Sequence, residues 1–95
     1  MNSAVAEHFG TNLARARMRA GISQEELSFR ASLHRTEIGM VERGVRLPRI
    51  DTLAKLTGAL GATPNDLMEG IEWTGGQVSA GAFRIGAEDH AEDGR

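Results

Sequence analysis

No cysteine occurs in the 95 residues, which excludes disulfides, thiolate nucleophiles and thiolate metal sites and suits a reducing compartment. No apolar run approaches the roughly 20 residues needed to span a bilayer, so no membrane association is expected. The N-terminus lacks the basic-then-apolar order of a signal peptide, and the chain is expected in the cytoplasm. Histidine is scarce, and His8, His34 and His90 lie too far apart for metal-ligand spacing. Gly75-Gly76 has neither a strand–loop–helix order nor a following lysine, so it reads as a turn and not as a phosphate cradle. The paired carboxylates Asp89 and Glu92 fall in an acidic stretch with no large apolar residues. No metal, no cofactor and no enzymatic activity are expected.

The net charge of −2 hides an asymmetry. Residues 10–49 carry eight arginines against four glutamates, whereas residues 50–95 carry three basic residues against eight acidic ones. Arginine suits bidentate contacts to phosphate and guanine, although a solvated surface with ordinary ion pairs would show the same count. With a helical core ending near Met68, about 65 residues must bury their apolar surface unaided. Domains of that size bury only about 60% of it and are marginal, so stabilisation by a partner subunit is natural.

The pattern is helical. Phe9, Leu13, Ala16 and Ala20 give helix 1 its face, starting near Ala4 or Glu7, with residues 1–7 frayed and Gly21 as the stop. Ser23 caps helix 2, and Glu26 three residues on completes a capping box. Helix 3 spans about 35–43 and closes at Gly44. Pro48 lies in the next loop. Helix 4 runs over about 50–59 and buries Ile50, Leu53, Leu56 and Leu60, while Thr63-Pro64 opens a short helix 5 over 64–68.

Within this pattern, 23–44 is the informative stretch. Leu27, Ala31, Leu33, Ile38 and Val41 would close a small core between helices 2 and 3. Arg35, Thr36, Gly39, Met40 and Arg43 are left on the outer side of helix 3. Such a helix pair presents side chains to the base edges of double-stranded DNA. The expected architecture is all-α: a compact five-helix DNA-binding domain over 1–70, an extended or hairpin segment over 71–85, and a disordered acidic tail over 86–95. In the hairpin, Trp73 and Phe83 would be cross-strand neighbours; alternatively Trp73 simply covers the end of the helical core.

The residues Gly-Ile-Ser-Gln-Glu-Glu-Leu (21–27), Ile38, Glu42-Arg43-Gly44, Pro48, Leu53-Ala54-Lys55-Leu56 and Ala59-Leu60-Gly61 resemble the lambda-repressor-like, Cro/C1-type (Xre-like) helix-turn-helix family over roughly residues 9–68. The resemblance implies a lambda-repressor-like fold and a sequence-specific transcriptional regulator, a repressor in many members, that acts as a homodimer on a pseudo-palindrome. It implies Arg35 and Thr36 as base contacts. Gln24, Arg43 and Arg46 become phosphate contacts, with Gln24 also buttressing the recognition helix. Arg17 and Glu42 match a structural ion pair joining helices 1 and 3. Two positions depart from the pattern: Ser32 stands where glycine is usual, and His34 is a weaker cap than serine or threonine.

Other positions stay open. A protonated His34 would add a phosphate contact, or it is an exposed turn histidine. Glu37 accepts from cytosine, holds Arg35 or faces solvent, and Met40 accompanies the base contacts. Gly39 costs the helix roughly 1 kcal/mol against alanine; it allows close approach to the groove or is a relaxed surface position. Trp73, Phe83 and Ile85 form the expected dimer contact. The alternative is an antitoxin-type protein whose C-terminal segment binds another protein; a restriction–modification controller and a phage repressor are equally open.

Overall fold

The computed structural model describes residues 3–76 and 81–86. Five helices follow one another: α1 (Ser3–Arg19), α2 (Gln24–Ala31), α3 (Arg35–Glu42), α4 (Ile50–Leu60) and α5 (Pro64–Leu67). They are followed by an antiparallel pair, β1 (Ile71–Thr74) and β2 (Ala82–Ile85). The register sets Trp73 opposite Phe83 and Ile71 opposite Ile85, as the hairpin reading anticipated. The expected tail beyond Gly86 lies outside the described residues.

The core is formed by Phe9 and Leu13 from α1, Leu27 and Ala31 from α2, Ile38 and Val41 from α3, Leu56 from α4 and Leu67 from α5. Each leucine or isoleucine buried there contributes about 1.5–3 kcal/mol. Helix α1 can lie close against the end of α3 because residue 10 is glycine; a Cβ there would fall on the carbonyl oxygens of Val41 and Glu42. Asn12, 5% exposed, ties α1 to the end of α5 by donating from Nδ2 to the carbonyls of Leu67 (2.9 Å) and Glu69 (2.8 Å).

Four details differ from the sequence expectation. Helix α1 begins at Ser3, and Val5 and Ala6 are buried, because the strand pair packs on this end of the helix instead of leaving it frayed. Ala20 is exposed beyond the helix end. Ile50 is 81% exposed instead of buried. The core stripe of α4 is centred on Leu56, and six residues back is about 120° around the helix, so Thr52 is buried in place of Ile50. Only half of the box at α2 forms. The Ser23 hydroxyl accepts from the Glu26 N–H at 3.0 Å, but the Glu26 carboxylate accepts from Arg30 Nε at 2.9 Å. The reciprocal box appears at α5, between Thr63 and Asp66.

The turn between α2 and α3 places Ser32 in the left-handed region, at φ 57° and ψ 47°. That conformation costs an L-residue roughly 1–2 kcal/mol, partly offset for glycine by its greater unfolded-state entropy. Ser32→Gly is therefore expected to raise stability by about 0.5–1 kcal/mol, measured by urea denaturation. An unchanged midpoint would mean that the serine carries no strain.

Candidate nucleic-acid interface

The two-helix unit is held from inside. Leu27 and Ala31 face Ile38 and Val41, and this packing fixes which side of α3 points outward. Arg35 and Thr36 in its first turn are exposed, whereas Glu37 and Met40 are half-buried. His34 occupies the cap position without a side-chain cap hydrogen bond and is exposed. Arg46, in the loop before α4, is also exposed and has no ion-pair partner among the described residues.

Gly39 is a correction. It is buried, not open on the outer side of the helix. The side chain of Arg43, one helical turn on, folds back over it. A Cβ on Gly39 would lie 3.0 Å from Arg43 Nη1 and 4.0 Å from Gln24 Oε1. Helix periodicity alone could not show this, since it reports where a Cβ would point and not what a neighbouring long side chain covers.

Four polar side chains connect the interior to the outer face. Arg17 donates from Nε to Glu42 Oε2 at 2.6 Å and from Nη2 to Oε1 at 3.1 Å, while its Nη1 donates to the Ile22 carbonyl at 2.9 Å. Glu42 Oε1 also accepts from Gln24 Nε2 at 2.9 Å. Gln24 Oε1 in turn accepts from Arg35 Nη1 at 3.2 Å. The pair is largely dehydrated, with the Arg17 and Glu42 side chains 15% and 7% exposed. The hydrogen bonds that Arg17 donates to Glu42 raise its pKa, outweighing the lowering by burial, with the Glu42 charge adding to the rise. A raised pKa in the folded state means that stability from this charge is present below the unfolded value. It is lost only in strong alkali.

Gln24 therefore has both ends of its amide engaged, to Glu42 and to Arg35. It orders the first turn of α3 and delivers an arginine held at one of its nitrogens, with the rest of its donor fork exposed. A preordered guanidinium loses less freedom when it meets a planar acceptor pair.

At the other end of the molecule, Trp73 and Phe83 stack edge to face with centroids 5.2 Å apart. They remain 60% and 49% exposed, whereas Ile85 is half-buried. Beside them lies an open apolar groove of about 240 Å³ lined by residues including Val5, Leu47, Leu53, Met68, Ile71 and Phe83. Among the described residues, no helix is long and apolar enough to cross a membrane.

Comparison with known proteins agrees with this geometry. The helix-turn-helix family model matches residues 13–67, more than half of the chain, and stops short of the strand pair. The control protein C.BamHI of Bacillus amyloliquefaciens is 40% identical over 62 residues, covering 64% of this chain and 76% of that protein. The HTH-type transcriptional regulator y4dJ of Sinorhizobium fredii is 37% identical over 59 residues, covering 62% and 77%. Among solved structures, the restriction-modification controller protein C.AhdI from Aeromonas hydrophila superposes with a TM-score of 0.66 at 39% identity, covering 67% of this chain and 97% of that one. With five helices in the required order, the α2–α3 pair packed through Leu27, Ala31, Ile38 and Val41, and the family match spanning that pair, this chain belongs to the Cro/C1-type helix-turn-helix family.

Proposed function

We propose that this protein is a sequence-specific DNA-binding transcriptional regulator, acting as a repressor in the cytoplasm, that inserts α3 into the major groove of a pseudo-palindromic operator as a homodimer. The observation that carries this reading is the ordered, outward-facing Arg35, fixed through Gln24 to the Glu42–Arg17 pair. Arg35 offers two donors to guanine O6 and N7, and Thr36 contacts the neighbouring base or a thymine methyl. Glu37 and Met40 flank them. Arg46 and His34, exposed at the two ends of α3, take phosphates, and Gln24, the first residue of α2, shares that task. The similarity to two control proteins near 40% identity favours a controller of restriction–modification genes over a phage repressor.

One module reads only a few base pairs, so two copies on a dyad are needed for a useful site. The apolar groove with Trp73, Phe83 and Ile85 beside it is the proposed dimer face, because it joins the exposed, stacked Trp73 and Phe83 rings to an open apolar surface. Trp73→Ala is expected to weaken dimerisation about tenfold, the range of a central aromatic anchor, in sedimentation equilibrium. An unchanged dimer would move the interface elsewhere.

Selection from a randomised duplex pool tests the function itself. Two half-sites related by a dyad are the expected product, and recovery of no preferred sequence would contradict the reading. On a selected duplex, Arg46→Ala is expected to weaken binding to all sequences alike. It should also lower the slope of log affinity against log salt by about one; an unchanged slope would remove Arg46 from the phosphate contacts.

A further inference from the structure

We propose that Arg43 reads a base edge next to the one read by Arg35, and that Gly39 is the specificity-determining residue that makes room for it. The proposal rests on the DNA-binding function inferred above and assigns Arg43 a role different from the phosphate contact implied by family resemblance.

Arg35, Gly39 and Arg43 stand four residues apart and form one stripe along α3. At the centre of the stripe the missing side chain leaves a notch. Arg43 Nη1 and Gln24 Oε1 both lie within 4.0 Å of the point where a Cβ would begin. The same Gln24 oxygen accepts from Arg35 Nη1. The Arg43 guanidinium and the Gln24 amide that holds Arg35 thus border the same notch.

Neither has a carboxylate partner among the described residues. The carboxylate bonded to this amide, Glu42, is already occupied by Arg17 and Gln24. Two cations gathered without an acid between them suit a ligand rich in acceptors. The major-groove edge of guanine, with O6 and N7, supplies such acceptors. An arginine that grips the flanking backbone has no need to fold back along the outer face of its own helix, which Arg43 does. With alanine at position 39 the added methyl would lie 3.0 Å from Arg43 Nη1, so the guanidinium would give by a few tenths of an ångström or leave the notch, while the helix backbone would stay.

The test uses the full chain, a duplex recovered from the randomised pool, and its complete set of single base-pair variants. Gly39→Ala and Arg43→Ala are each expected to lose on the order of tenfold discrimination at the same base pair. Arg35→Ala should lose it at a different one. The Gly39→Ala and Arg43→Ala effects should not add, since both remove one contact. Gly39→Ala should also keep the wild-type salt slope.

The proposal is overturned if Gly39→Ala retains the wild-type preference at every base pair. It is equally overturned if Arg43→Ala weakens all duplexes alike and lowers the salt slope by about one, the mark of a phosphate contact. Arg43 is exposed, so this second variant stays folded even if the glycine replacement does not. A wild-type protein with no base preference overturns the DNA-reading function together with this proposal. A wild type whose preference changes in Arg35→Ala but not in Gly39→Ala overturns this proposal alone.

Discussion

Glu42→Ala is expected to lower the unfolding free energy by about 3–5 kcal/mol, the cost of leaving a buried charge without its partner. The magnitude follows from dehydration. With Glu42 at 7% and Arg17 at 15% side-chain exposure, the orphaned guanidinium would keep one protein acceptor, the Ile22 carbonyl, and little water. Native domains have about 5–15 kcal/mol in total, so the variant should melt far below the wild type. Two further effects distinguish this network from a simple surface pair. Gln24 Nε2 loses its acceptor, so Arg35 should become more mobile and DNA affinity should fall even where folding is restored at low temperature. Replacing both partners by apolar residues should cost less than either single change, because no bare charge remains. Urea denaturation of the two single variants and the double variant measures this. A loss below about 1 kcal/mol for Glu42→Ala would put the pair in the class of solvated surface ion pairs and contradict the account.

Arg35→Ala is expected to cost about 1–3 kcal/mol of operator binding, a factor of roughly 5–150, and to relax preference at one base pair. Its effect should fall on recognition and not on folding. The side chain is exposed and outside the core, so stability should stay within about 0.5 kcal/mol of the wild type. Arg35→Lys should recover little of the discrimination, since an ammonium group cannot present the planar fork that matches O6 and N7. Competition binding with single base-pair variants separates these outcomes. Unchanged affinity and preference in Arg35→Ala would remove the residue from the reading face.

Local signals made much of this structure legible in sequence. Ser23, Gly44, Pro48 and Thr63-Pro64 punctuate the chain where helices begin and end. Leu27, Ala31, Ile38 and Val41 carry a periodicity that already orients α3. Trp73 and Phe83 pair as the alternation around the Gly-rich turn suggested. What escaped depends on partners distant in sequence. Val5 and Ala6 are buried at the end of α1 where a strand pair from residues 71–85 packs, far outside any window centred on α1. Ile50 satisfies an apolar spacing with Leu53 yet lies off the stripe that the neighbouring helices cover. Glu26 has the right spacing to Ser23, but Arg30 four residues on competes for its carboxylate. Gly10 shows its importance only when α3 is laid across it, and Gly39 only when Arg43 folds back. Residue roles thus proved less visible than residue positions, because roles are set by long side chains whose direction periodicity does not specify.

The most direct test of the central claim is a fluorescence-anisotropy titration of the full chain against the selected duplex and a scrambled duplex of equal length, at two salt concentrations. The account predicts tight binding to the selected duplex, at least about 1,000-fold stronger than to the scrambled one. Both affinities should weaken as salt rises. Equal, weak binding to the two duplexes would contradict it and point to a helix-turn-helix module that no longer reads DNA.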